Sequence, residues 1–294
     1  MRKKTCLIIA LAVLPPASEA ATKVVTSTTD LAFFAREIGG GHVEVQSIAN
    51  PTSDVHFIET RPSYMRKVAA ADVVLKVGLE LDVWMDRIID GSRNSRLLVV
   101  DCSENIEPLE VPSFKADARY GDLHRFGNPH YWLGPQNVEP LTEAIVRGLS
   151  TADPGHADEY RRNQQRLLAD MTSALELLKE KARPLKGVEA VFYHNSWPYF
   201  SEFTGLIAAG FIEPYPGVPP SPSHVADIIR LVKERGIRLI VMEPYFDRRV
   251  PDKIAAATGA KVVALCPSVG GRANDETYLG WLQGNIGELI GALK

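Results

Sequence analysis

The segment DPGHADEYRRNQQRLLADMTSALELLKEKARP, from Asp153 to Pro184, decides how the rest of the chain is organised. Asp153 followed by a proline is a helix-start signal, and Pro184 with Gly187 is a helix-stop signal. Between them the apolar residues recur at helical spacing: Tyr160, Leu167, Leu168, Met171, Leu175 and Leu178. Roughly 28 helical residues would extend about 42 Å. We predict a connector that spans two lobes, rather than an ordinary helix packed on one.

Short β-branched runs alternate with helical stretches on both sides of this connector. Strands are predicted at Lys23–Thr26, Val43–Ile48, Asp72–Val77, Leu97–Asp101, Ala190–Tyr193, Leu206–Ile212, Leu239–Met242 and Val262–Leu265. Helices are predicted at Leu31–Ile38, Pro62–Ala70, Leu81–Ile89, Ser223–Arg235, Val250–Thr258 and Glu276–Leu293. This alternation indicates βαβ units. We therefore predict an α/β protein of two lobes, each with a mostly parallel four-stranded sheet flanked by helices, joined by one long helix.

The predicted boundaries follow from this pattern. Residues 21–134 form the N-terminal lobe, residues 135–186 the linking helices with the connector, and residues 187–294 the C-terminal lobe. About 274 residues suffice for two modest hydrophobic cores.

The first twenty residues have the features of a secretory signal peptide. A basic start, Arg2–Lys4, precedes the short apolar run Cys6–Leu14, and Pro15 breaks that run. Small residues end at Ala20, where we predict cleavage. The apolar run is too short for a membrane anchor. We predict a protein exported to the periplasm.

Charge and cysteine content limit the partners. Removal of residues 1–20 changes the net charge from −3 to about −5, which disfavours nucleic acid as a partner. Two cysteines then stay in the chain, Cys102 and Cys266, and we place them in different lobes. In an oxidising compartment they form one disulfide or stay reduced, and the sequence leaves both open.

Three of the seven histidines share a context that favours metal binding. His56 follows the second strand, His194 follows a buried-type strand directly, and His130 lies in an aromatic-rich loop after the first lobe. Ligands of open α/β sheets gather beyond the carboxyl ends of the strands. Three imidazoles with aromatic neighbours that exclude water suit a tetrahedral zinc ion.

The other four histidines have polar surroundings. His42, His156 and His224 are predicted to be surface residues, the last in the first turn of a helix. His124 lies in the polar stretch ARYGDLHRFGN. We interpret it as a solvated loop residue that could assist metal capture.

The fourth donor has several candidates. Cys266 ends the strand VVALC, and its thiolate would favour zinc over manganese. The same cysteine equally fits a small apolar residue packed in the sheet. Glu243, Asp275 and a water molecule are the alternatives.

As a set, these residues resemble the solute-binding proteins of zinc and manganese ABC importers. The resemblance rests on TSDVHFIETRPSYMRKVAAADVVLKVGLELDVWM, NPHYWLGP, VFYHNSWPYFSEFTGL, PPSPSHVADIIRLVKERGIRLIVMEPYFD and TYLGWLQGNI. It implies His56, His130 and His194 as metal ligands, with zinc more than manganese as the ion. The family's usual fourth aspartate falls here on Cys266, and residues 113–128 hold one histidine in place of a histidine-rich loop.

The resemblance implies capture of a divalent ion and delivery to an ABC permease by a monomer. Manganese- or iron-specific binding by the same fold, a surface adhesin, and a zinc-dependent hydrolase with Glu243 as its base are the alternatives. The sequence contains no HExxH motif, which weakens the hydrolase reading.

Overall fold

The computed structural model describes residues 20–113 and 124–294. The strands are β1 (Thr22–Thr26), β2 (Val43–Ser47), β3 (Val73–Lys76), β4 (Leu98–Asp101), β5 (Glu189–Phe192), β6 (Ile207–Phe211), β7 (Leu239–Met242) and β8 (Lys261–Ala264). The helices are α1 (Thr29–Gly39), α2 (Pro62–Ala69), α3 (Val83–Ser92), α4 (Val138–Ala152), α5 (Ala157–Ala182), α6 (Pro198–Thr204), α7 (Pro222–Arg235), α8 (Arg249–Thr258) and α9 (Tyr278–Leu293). The predicted signal peptide lies almost entirely outside the described residues.

The strands form two four-stranded sheets with the same topology. The first has the order β2-β1-β3-β4 and the second the order β6-β5-β7-β8, and every neighbouring pair is parallel. Helices cover both faces of a parallel sheet, so its central strands are continuous apolar runs. The strand β7, with the sequence LIVM, is buried at all four positions. This confirms the predicted α/β architecture of two lobes.

The connector α5 contains 26 residues and is flanked by 3-10 turns. It packs on α1 and α4 beside the first sheet and on α9 beside the second. The helix begins later than predicted, because Pro154–His156 form a separate turn. The Asp153 carboxylate does not cap the helix and instead accepts a hydrogen bond from the Tyr160 hydroxyl.

The two lobes share one continuous core. The indole N–H of Trp132 donates to the Pro267 carbonyl oxygen, at 3.0 Å, and the Tyr278 hydroxyl donates to the Trp132 carbonyl oxygen, at 2.8 Å. The amide of Val269 donates to the buried carboxylate of Asp30. Because buried residues of both lobes pack in one cluster, the predicted boundaries at residues 134 and 187 stay predictions.

Two histidines predicted to be surface residues are instead half-buried and in contact. The rings of His42 and His156 stack, with 3.7 Å between their centroids. His42 pairs with Glu159 and His156 with Asp153. The connector reaches back over the start of β2, which the sequence pattern alone does not indicate. His224 is also half-buried, and its Nε2 atom lies 2.9 Å from the Phe211 carbonyl oxygen.

Cys102 and Cys266 are both buried free thiols. In the part of the chain that the structure describes, no helix combines the length and the apolar character that a membrane crossing requires.

Candidate metal site

Three loops bring the predicted histidines together. His194 lies two residues beyond the end of β5, and His56 follows β2 in a loop that the Trp84 indole holds through a hydrogen bond to the Val55 carbonyl oxygen. His130 immediately precedes Tyr131, whose hydroxyl donates to the carbonyl oxygen of Val77 at the end of β3. The site therefore lies at the carboxyl ends of the strands, as predicted.

The three rings have the spacing of ligands around one ion. The ring centroids of His56 lie 5.0 Å from those of both His130 and His194, and the last two are 5.5 Å apart. One nitrogen from each ring lies within 4.8 Å of the other two. Zn–N bonds of about 2.0–2.1 Å place tetrahedral imidazole centroids about 5 Å apart. The arrangement fits a small tetrahedral ion.

Two of the histidines are oriented by a residue two positions earlier. The Oδ1 atom of Asp54 accepts from the backbone N–H and the Nδ1–H of His56, at 3.0 and 2.9 Å. The Oδ1 atom of Asn128 accepts in the same way from His130, at 3.1 and 2.9 Å. A carboxylate only accepts, so Nδ1 of His56 carries the proton.

The Asn128 amide is itself oriented by a third residue. Its Nδ2 donates to the Glu110 carboxylate at 3.1 Å and to the Asn195 carbonyl oxygen at 2.8 Å. Both acceptors fix the amide nitrogen on their side, which leaves the amide oxygen facing His130. Glu110 also accepts from the Asn195 side chain at 2.7 Å, so it joins the loops that carry His130 and His194.

His194 is oriented by a partner from the neighbouring strand. Its Nδ1 lies 2.8 Å from Oε2 of Glu213, and both side chains are less than 10% exposed. The parallel pairing of β5 and β6 continues past both strands, as the hydrogen bond from the Glu213 amide to the Tyr193 carbonyl oxygen shows. That pairing places Glu213 beside His194.

All three rings thus use Nδ1 for an oxygen acceptor and keep Nε2 for the common point. The Nε2 atoms of His56 and His130 are buried without a hydrogen-bond partner. A buried nitrogen without a partner costs free energy unless something else binds it. The fixed tautomers and outer acceptors match those of metal-binding histidines in general.

Burial keeps the inner histidines neutral. It lowers the pKa of His130 well below the usual value, and it lowers the pKa of His194 despite the opposing Glu213 hydrogen bond. Burial raises the pKa of Asp54, but the hydrogen bond and the charge of His56 outweigh it, so the pKa is lowered overall. The carboxylates of Asp54 and Glu213 stand behind the rings of His56 and His194, where they can balance the charge of a dication.

Comparison with known proteins agrees with this geometry. A sequence model of the family described as "Zinc-uptake complex component A periplasmic" matches residues 24–292. The chain belongs to this family. The family consists of metal-binding components of uptake complexes and not of enzymes, so the hydrolase alternative is not supported.

Proteins similar to this chain are named for different metal ions. The iron-binding protein YfeA of Yersinia pestis is 28% identical over 254 residues, which is 81% of this chain and 75% of that protein. The manganese-binding lipoprotein MntA of Halalkalibacterium halodurans is 25% identical over 277 residues, covering 92% of this chain and 88% of MntA. A crystal structure of ZnuA is 24% identical, covers 93% of this chain and all of that one, and superposes with a TM-score of 0.80, which shows the shared fold.

The predicted fourth donors lie apart from the histidine triad. In the described residues, the group with metal-ligand spacing contains the three histidines and not Cys266. The Cys266 thiol lies 3.3 Å from the Ser268 carbonyl oxygen. The Asp275 carboxylate is engaged by Arg272, and Glu243 accepts from the Ser196 hydroxyl and the Trp197 indole. The ligand role of Cys266 stays a prediction.

A fourth imidazole borders the site instead. The ring of His124 stacks near His56, with 5.5 Å between the centroids, and its centroid lies 6.4 Å from that of His130. Its Nε2 atom is buried without a partner, and burial lowers its pKa to about 3. The solvated loop predicted for His124 is therefore wrong at this residue. The polar neighbours along the sequence conceal a contact that only the tertiary fold creates.

Proposed function

We propose that this chain captures a zinc ion through Nε2 of His56, His130 and His194 and delivers it to the permease of an ABC importer. The observation that carries the proposal is the triad itself: three rings at tetrahedral spacing, each with Nδ1 bound to an oxygen acceptor. Membership of the uptake family supports transport as the purpose of that binding.

Zinc fits this donor set better than the ions named for the relatives. Imidazole nitrogen suits zinc, whereas manganese favours carboxylate and water oxygens. The carboxylates nearest the triad, Asp54 and Glu213, bind ring Nδ1 atoms and so stand behind the histidines. Manganese or iron(II) binding, as in the relatives MntA and YfeA, is the second candidate.

The test is a competition titration of the purified chain with zinc, manganese and iron(II). We expect zinc to displace the other two ions and His130→Ala to weaken zinc binding at least about 100-fold, because a buried ligand is lost. His224→Ala is the matched control, since His224 lies on α7 and pairs with a backbone carbonyl oxygen. Equal zinc affinity in the parent and His130→Ala would refute the proposal.

Export and division into lobes belong to the same proposal. We infer that a signal peptide is removed near Ala20 and that the mature protein acts in the periplasm as a monomer. We assign residues 21–134 and 187–294 to the lobes that contribute His56, His130 and His194, with the connector between them. N-terminal sequencing of the exported protein tests the cleavage position, and a mature chain that begins far from Ala21 would contradict it.

A further inference from the structure

We propose that His124 supplies the fourth ligand, which makes the site a tetrahedron of four imidazoles. This inference rests on the proposed function, because it completes the same site. His124 approaches the triad from the side of His56, and its buried Nε2 has no hydrogen-bond partner. The Nε2 atoms of His56 and His130 share that condition, so three of the four rings present an unpaired nitrogen at this place.

The distance that His124 must move is small. Tetrahedral zinc with four imidazoles requires centroid separations of about 5 Å. The centroid of His124 lies 5.5 Å from that of His56 and 6.4 Å from that of His130. A shift on the order of 1 Å, within the range of a side-chain rotation, would bring its ring to that separation from His56 and His130.

The residue after His124 is tethered to the first lobe. The backbone N–H of Arg125 donates to Oε2 of Glu80 at 3.1 Å, and its guanidinium Nε donates to Oε1 at 2.9 Å. Glu80 lies in the turn between β3 and α3 with a φ of 65°, a left-handed conformation that an ordinary residue adopts only when its surroundings hold it. This double contact fixes where the chain passes His124 and holds its ring over the triad.

The other candidate side chains are engaged by neighbouring groups. Cys266 packs so closely on Gly271 that a Cβ atom there would lie 1.9 Å from its sulfur, and the thiol faces the Ser268 carbonyl oxygen. Asp275 is bound by Arg272, at 2.8 Å. Glu243 is completely buried under Ser196 and Trp197. Among the candidate side chains that the structure describes, His124 combines an unpaired ring nitrogen with proximity to the triad.

This assignment has a consequence for selectivity and release. Four nitrogen donors and no oxygen donor favour zinc strongly over manganese. His124 also lines a groove of 660 Å³ beside His56, together with Phe57 and Trp84. Departure of His124 would open the ion to that groove while the other three ligands stay in place.

X-ray absorption at the zinc edge of the loaded protein tests the proposal. We expect four nitrogen ligands near 2.0 Å in the parent and in Cys266→Ala, and three nitrogens with one water oxygen in His124→Ala. We also expect His124→Ala to bind zinc about tenfold more weakly or worse and to discriminate less against manganese. Arg125→Ala keeps the imidazole and the backbone contact with Glu80 but removes the guanidinium contact, and it should show an intermediate loss of affinity.

Two results would overturn the assignment. One is a sulfur neighbour near 2.3 Å that Cys266→Ala removes, which would return the fourth position to the thiolate. The other is a parent spectrum that His124→Ala leaves unchanged. Neither result affects the three-histidine proposal, which fails separately if His130→Ala retains the parent zinc affinity.

Discussion

Glu213→Gln tests whether the charge behind His194 contributes to metal affinity. The glutamine oxygen still accepts from Nδ1 of His194, so the ring keeps its orientation and its tautomer. What disappears is one of the two carboxylates that oppose the charge of the ion. Because Glu213 and His194 are both buried, solvent screens this charge only weakly.

The magnitude follows from the geometry. Glu213 Oε2 is 2.8 Å from Nδ1 of His194, and adding the ring and the metal bond places the carboxylate about 6.5 Å from the ion. A dication and a unit charge at that distance attract each other by about 5 kcal/mol at an effective dielectric constant of about 20. Substitution of outer-sphere partners generally costs about 10- to 100-fold, or about 1.4–2.7 kcal/mol. We expect the smaller loss of about 1.4–2.7 kcal/mol, because the glutamine dipole and the surrounding groups replace part of the lost charge.

We therefore expect Glu213→Gln to weaken zinc binding about 10- to 100-fold in a chelator competition assay. Glu189→Gln is the matched control, since Glu189 begins the strand that ends before His194 and pairs with Arg235 on the surface. It should bind zinc as the parent does. If Glu213→Gln binds within threefold of the control, the charge contributes nothing and the outer carboxylates serve only to orient the rings.

Three further predictions concern the hydrogen-bond relay from Glu110 through Asn128 to His130, the buried carboxyl group of Glu243, and the bound zinc ion. Asn128→Asp places a carboxylate against Glu110 and should weaken zinc binding about tenfold, whereas adding Glu110→Gln restores a donor and should recover most of it; an unrecovered double variant argues against the relay. Burial raises the pKa of Glu243 to about 8, so the folded protein loses stability as pH rises above 4.5. The difference in free energy of unfolding between Glu243→Gln and the parent should therefore grow in favour of the variant by about 1.4 kcal/mol per pH unit between pH 5 and 7. Urea unfolding of the metal-free proteins measures this, and a pH-independent difference contradicts it. Zinc at about 1,000 times its dissociation constant should stabilise the fold by about 4 kcal/mol, so chelation should lower Tm by about 10 °C, and an unchanged Tm would mean that the ion binds the unfolded chain equally well.

The sequence predicts the fold because the period of its apolar residues changes clearly between strands and helices. Strand β7 is recognisable as LIVM between two helices, and the structure places its ends as predicted. Strand β6 is one residue shorter at each end than predicted, and the connector begins at Ala157 instead of near Asp153. Such ends depend on local turns, here the 3-10 turn at Pro154, which apolar periodicity does not specify.

The outer partners of the histidines differ in how visible they are in the sequence. Asp54 and Asn128 each precede a histidine by two residues, and such side chains accept from the backbone two residues on, so SDVH and NPH carry a local signal. Glu213 is 19 residues from His194, and only the register of β5 with β6 brings them together. His124 is concealed further, because its position depends on the tether between Arg125 and Glu80, 45 residues apart.

The continuous core between the lobes limits how the ion can leave. His56 and His130 belong to the first predicted lobe and His194 to the second, so wide separation of the lobes would break the site at once. It would also break the Trp132 contact with the Pro267 carbonyl oxygen and the Asp30 contact with the Val269 amide, both buried. Each lost buried hydrogen bond costs about 1–3 kcal/mol when its groups stay unpaired, in addition to the exposed apolar area. Release therefore depends on local changes in the loops around the triad and not on separation of the lobes.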